Sequence, residues 1–186
     1  MHISAGLLVG AEQIITPHCD LRPVDASISL LVIHNISLPP NQFGGPYISE
    51  LFLGQLDPQR HPYFAQIYQL RVSSHCLIRR DGQIIQYVPF EQRAWHAGVS
   101  SFQGKDRCND YSIGIELEGA DHIAYTGEQY KALVALSWNI MQDYQGITLG
   151  RIVGHNDIAP GRKTDPGIAF DWAHFRTKLA SFGNNQ

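Results

Sequence analysis

The chain has 186 residues, 44% of them hydrophobic and 17% charged, with a formal net charge of −3 and a pI near 6.3. That length and balance suit one folded domain and exclude a disordered chain. No dense run of lysine and arginine is present, which argues against a nucleic-acid partner. No apolar run approaches the ~18 residues of a membrane span, so no membrane partner is expected.

The N-terminus, MHISAGLLVGAEQIITPHCD, has no basic leader, and Glu12 and Gln13 break its apolar stretch. A secretory signal is therefore not expected. Cys19, Cys76 and Cys108 are odd in number and far apart, as free thiols of a reducing compartment are, and the expected location is the cytoplasm. Ser29 to Ile33 (SLLVI) predicts a buried strand ending at His34, followed by a Pro/Gly-rich loop from Leu38 to Pro46. Helices are expected over Ile48 to Leu53 and Pro62 to Leu70, the second with its proline in the first turn. Val72 to Arg79 and Ile84 to Val88 form a hairpin pattern around Asp81-Gly82.

Ser112 to Leu117 (SIGIEL) is a further strand. Thr126 and Gln129 have capping-box spacing and open a helix expected to run to Tyr144. Ile152 and Val153 lead into His155, and Gly154 to Gly167 (GHNDIAPGRKTDPG) is expected to be non-helical. Asp171 caps a last helix with Trp172, Phe175 and Leu179 on one face. The mixture predicts an α/β (α+β mixed) single domain, with one central mixed sheet flanked by helices.

Among nine histidines, position distinguishes two. His34 and His155 each sit where an apolar strand gives way to a Pro/Gly-rich loop, a place where a rigid element meets a pocket-forming segment. Asp157, Lys163 and Asp165 lie in the loop after His155. Two histidines and a carboxylate match the ligand rule for catalytic zinc, with the fourth position open. Spacing leaves other readings standing: Glu116 as a surface residue of a half-buried strand, Lys163 as a solvated loop cation, Asp165 as a turn initiator before Pro166. His75 and Trp95 also fit as core residues, and Cys108 as a packed thiol.

VIHNISLPP, SSHCLIRRDG, QYVPFEQRAWHAG, CNDYSIGIELEG and GHNDIAPGRKTDPG resemble, in this order, the motifs of the N-acetylmuramoyl-L-alanine amidases, which share a fold with phage amidases and peptidoglycan recognition proteins. The resemblance spans Leu7 to Arg176 and is greatest to the members that act on 1,6-anhydromuropeptides in cell-wall recycling. It implies Zn2+ held by His34, His155 and Asp165, with Glu116 handling the proton of the attacking water and Lys163 as electrophile. It supports Arg71 and Arg107 as contacts to the carboxylates of a muropeptide, with Asn35 and Trp95 as further substrate contacts and His96 as a group that either faces substrate or stands behind a metal ligand. The loop holding Gly44 and Gly45 is expected to close over the site. The expected protein is a monomeric enzyme with a small muropeptide substrate. A non-catalytic peptidoglycan-fragment-binding module is the alternative, and a structural-zinc or metal-free domain a third.

Overall fold

The computed structural model describes residues 2–183. Its centre is a six-stranded mixed sheet in the order β12-β5-β11-β6-β7-β3. These strands are β3 (Glu12–Gln13), β5 (Leu30–Ile36), β6 (Cys76–Ile78), β7 (Ile84–Gln86), β11 (Ser112–Glu118) and β12 (Ile152–Gly154). β12, β5, β11 and β6 run parallel, and β6 turns back antiparallel into β7. Three separate two-stranded sheets accompany it: β1 (His2–Ser4) with β2 (Leu7–Val9), β4 (Cys19–Leu21) with β8 (Gln92–Ala94), and β9 (Ser101–Phe102) with β10 (Lys105–Asp106).

The described residues also form the α-helices α1 (Tyr47–Leu53), α2 (Phe64–Ile67), α3 (Gly127–Asp143), α4 (His155–Ile158) and α5 (Trp172–Phe182). Because strand side chains alternate between faces, the central strands divide their residues in two. Leu31 and Ile33 of β5 and Ile113, Ile115 and Leu117 of β11 join one core with Leu133, Leu136 and Ile140 of α3 and Phe175 and Leu179 of α5. The other face carries Leu30 and Val32, packed with Val153 and Ile158, and Leu77 and Ile85, packed beneath Phe52 and Phe64. Burial on both faces explains the near-continuous apolar run of β5.

The capping box at α3 is present. Thr126 Oγ1 accepts from the Gln129 amide at 3.1 Å, and Gln129 Oε1 accepts from the Thr126 amide at 3.2 Å. Asp171 Oδ1 caps α5 through the His174 amide at 2.8 Å. Gly82, at φ 87°, turns the β6–β7 hairpin.

Four expectations shift. β5 continues through His34 to Ile36 instead of ending at His34, because β11 pairs with it over the whole length. The helix expected over Pro62 to Leu70 is a single turn, in which Phe64 is the one buried residue. The strand expected from Val72 starts only at Cys76. The loop after β12 begins with one helical turn, α4, whose start is fixed by Asp157 Oδ2 accepting from the Gly154 amide at 2.7 Å.

Candidate metal centre and active site

Register decides which side chains meet. In the parallel pair β5–β11, Glu116 is opposite His34, so both project from the same face of the sheet. β12 delivers His155 beside them, directly after its last strand residue Gly154. Asp165 returns from the loop beyond α4. Its carbonyl accepts from the Asn156 amide at 3.0 Å, and the next carbonyl, of Pro166, accepts from Asn35 Nδ2 at 3.0 Å and Tyr125 Oη at 2.7 Å. Gly167 (φ 82°) closes this loop against Asp121, whose Cα lies 2.1 Å from where a Cβ would stand, a place only glycine fits.

Three ligand-type atoms converge here. His34 Nδ1, His155 Nδ1 and Asp165 Oδ2 are each 3.0 Å from the other two. Tetrahedral ligands at ~2.0–2.1 Å from a common ion stand about 3.3 Å apart, so the triangle has the dimensions of a metal site and forms a group able to hold an ion. The histidines are 1% and 3% exposed. Burial pulls His34 down to about 4, against the raising effect of its hydrogen bond to Asp165. Asp165 is held below the ordinary carboxylate range: burial raises it, and the two imidazole contacts more than offset that. A neutral imidazole at His34 and an ionised carboxylate at Asp165 are the protonation states a metal requires of these ligands.

Glu116 is 8% exposed, and its Oε2 is buried with no hydrogen-bond partner. Burial first, and the Asp165 charge second, push its carboxyl well above the usual range, opposed by the Lys163 ammonium. The triangle, Glu116 and Lys163 line one cavity of about 370 Å³. Of the residues holding a buried, unpartnered side-chain polar atom among those described, Glu116 is the one in this cavity.

Asn35, Trp95 and His96 also line it. Asn35 has its amide donors committed to Asp121 Oδ1 and Pro166 O. Trp95 stacks on His18, with centroids 6.0 Å apart, and donates from Nε1 to Asp20 Oδ1 at 3.2 Å. His96 has both its ring nitrogens engaged inside the protein, with His34 Nε2 and Ser112 Oγ. Arg71 is exposed between the cavity residues Leu70 and Val72 without lining the cavity itself. Arg107 pairs with Asp110 at 3.1 Å and borders a different hollow, with Val99 and Arg162. The Gly44–Gly45 loop does not cover the metal cavity. Glu118 Oε1 holds the Gly44 amide at 2.6 Å and Arg79 holds the Gly45 carbonyl at 3.2 Å, over a separate hollow. Tyr63, Ser73 and Phe52 are among the other residues of the cavity wall and carry no signal in the sequence that marks them.

His75 is fully buried, its Nδ1 accepting from the Gly114 amide at 3.0 Å. Cys19, Cys76 and Cys108 are free thiols, and no helix among the described residues is long and apolar enough to cross a membrane.

Comparison with known proteins agrees with this geometry. A family model described as N-acetylmuramoyl-L-alanine amidase matches residues 24–168, a span holding all three ligand-type residues. The 1,6-anhydro-N-acetylmuramyl-L-alanine amidase AmpD of Escherichia coli (strain K12) is 61% identical over 180 residues, covering 97% of this chain and 98% of that protein. A crystal structure of an AmpD selenomethionine derivative superposes with a TM-score of 0.94 at 59% identity, covering 96% of this chain and 99% of that one. The amidase AmiD from E. coli, solved with anhydro-N-acetylmuramic acid-L-Ala-D-gamma-Glu-L-Lys, gives a TM-score of 0.59 at 31% identity, over 84% of this chain and 60% of that one. With a matching family model over most of its length and a near-full-length relative at this identity, the chain belongs to the N-acetylmuramoyl-L-alanine amidase family.

Proposed function

We propose that this chain is a zinc amidase that hydrolyses the bond between the (1,6-anhydro)-N-acetylmuramyl group and the L-alanine of muropeptides, in cell-wall recycling. The observation that carries the reading is the meeting of two imidazoles and a carboxylate within 3.0 Å of one another beside a buried glutamate oxygen that nothing in the protein satisfies. The substrate follows from relatives that match nearly the whole chain and from a homologue solved with an anhydromuropeptide. The free cysteines fit a cytoplasmic enzyme, acting as a monomer through one domain of residues 1–186.

His34, His155 and Asp165 are the residues that would hold zinc. When bound, zinc supplies Lewis acidity that polarises an amide carbonyl and acidifies water. Glu116 Oε2 takes the proton of the attacking water and passes it to the leaving L-alanine nitrogen, for which a carboxyl with a raised proton affinity is suited. The Lys163 ammonium, close enough to depress Glu116, stabilises negative charge developing on the carbonyl oxygen. Asn35 Oδ1 and the Trp95 ring orient the peptide and sugar, and Arg71 and Arg107 supply cations for the stem carboxylates from outside the cavity.

The test is release of free peptide from purified anhydromuropeptide. Zinc-loaded protein is expected to release it, a chelator to stop release, and added zinc to restore it. Zinc-loaded protein that releases no peptide overturns the reading.

A further inference from the structure

His34 and His155 offer the same atom, Nδ1, to the centre, but their far nitrogens end on different partners. His155 Nε2 lies 3.1 Å from the Ala97 carbonyl. A carbonyl can only accept, so this ring carries its proton on Nε2 and keeps a lone pair on Nδ1. His34 Nε2 lies 2.9 Å from His96 Nδ1, and His96 Nε2 lies 3.1 Å from Ser112 Oγ. Each group in that chain can donate or accept, so two polarities exist. In one, His34 donates to His96 and His96 to Ser112, and His34 Nδ1 is bare. In the other, Ser112 and His96 donate inward, and the His34 proton sits on Nδ1, where a metal has to bind. Only the first polarity makes a ligand.

We propose that His96, backed by Ser112, is a positioning residue that holds His34 in its metal-competent tautomer and fixes the plane of its ring. The inference rests on the metal reading above and assigns His96 to the metal side of the cavity. The fold prepares a place for it. Ser112 and Gly114 alternate with Ile113 and Ile115 along β11, so hydroxyl and gap share one face of the sheet. A Cβ on Gly114 would stand 2.5 Å from His96 Cγ, so the ring lies flush on the strand only because that residue is glycine. The His34 and His96 rings meet edge to face, 4.9 Å apart and at 82°. Asn109 Oδ1 accepts from the amides of both His96 and Ala97, at 3.2 and 2.8 Å. One clamped dipeptide therefore supplies the outer partner of both histidine ligands, and outer partners of this kind tune metal affinity.

The experiment compares wild type with His96→Phe, His96→Asn and Ser112→Ala. It reads zinc affinity by chelator competition, the visible spectrum of the cobalt-substituted protein, and KM at saturating zinc. His96→Phe keeps the ring and loses the acceptor; zinc affinity is expected to fall about 10–100-fold and the cobalt bands to shift, with KM unchanged. His96→Asn places a carbonyl oxygen near the Nδ1 position and should recover most of the affinity. Ser112→Ala should show a smaller loss in the same direction. Should His96→Phe fail to fold, the Asn and Ala variants decide alone. Unchanged affinity and spectrum, or a raised KM at wild-type zinc affinity, overturns the proposal. Wild-type protein that takes up neither zinc nor cobalt overturns the metal reading itself, a result distinct from either of those.

Discussion

Glu116 and Glu118 sit two residues apart on β11, on the same face of the sheet, and both are buried, at 8% and 2% exposure. Their surroundings are opposite. Glu118 accepts from the Gly44 amide at 2.6 Å and the Arg80 amide at 3.2 Å, and faces Arg79 at 3.8 Å. It ties the Gly44–Gly45 loop to the β6–β7 hairpin, and its region is closed chemistry. Glu116 has one oxygen with no partner, a carboxylate neighbour in Asp165, and an open cavity in front of it. A buried carboxyl without partners costs several kcal/mol if ionised, so the fold bears at Glu116 a cost it has removed at Glu118. A buried acid is a stability element when its acceptors are filled and a candidate reagent when they are left open.

The sharpest way to break that contrast is Glu116→Gln. Turnover should fall by about 10²–10⁴ while zinc content stays at the wild-type level, measured by peptide release and metal analysis. Stability should move the other way. In metal-free protein the folded state keeps the Glu116 proton above the ordinary glutamate value of about 4.3, whereas the unfolded chain releases it. The wild type therefore loses stability as pH rises from that value toward the raised folded one. Glutamine has no such proton, so the stability advantage of Glu116→Gln over wild type should widen with pH across the window. Denaturant titrations of both proteins at several pH values check this; a gap that narrows with rising pH contradicts the assignment of an unsatisfied, raised carboxyl.

Lys163→Ala should have the next largest effect. Lys163 is exposed and serves no packing role, so removing it should leave denaturant stability nearly unchanged. Removing a group that stabilises developing negative charge costs about 10²–10³ in turnover. It also withdraws the cation that lowers Glu116, so the acid limb of the activity profile should move to higher pH. A loss of turnover with no such displacement would leave Lys163 its oxyanion role and remove its influence on Glu116.

How much of this was legible beforehand follows the same division. The alternation in SIGIEL set Glu116 opposite its apolar neighbours, and the capping residues Thr126, Gln129 and Asp171 stand where their spacing put the helix starts. Ligand-type residues at the ends of apolar runs marked His34 and His155. The sequence could not show that Glu116 pairs with His34, because register depends on strands separated by some eighty residues. The partners of His96 were hidden for the same reason, so its motif left open which side of the cavity it serves. Glu118 went unnoticed because a glutamate at a strand end reads as solvated until the loop that caps it is known. Nor did the sequence show that Arg107 pairs with Asp110 and borders a hollow other than the metal cavity.

The smallest effect tests the closed half of the comparison. Glu118→Gln keeps the shape and one acceptor oxygen but removes the charge facing Arg79 and turns the second oxygen into a donor. That donor would meet either the Gly44 or the Arg80 amide, so one of these part-buried N–H groups loses its acceptor, at a cost of about 1 kcal/mol. Denaturant midpoints should fall accordingly, and proteolysis should find the Phe43–Gly45 segment first, since that loop loses its tie to β11. Turnover and zinc affinity of the folded fraction should stay at wild-type values, because the hollow bordered by Glu118 is not the metal cavity. A Glu118→Gln protein of full stability but reduced turnover would mean that the two regions are not separate, and that the Gly44–Gly45 loop acts on the cavity after all.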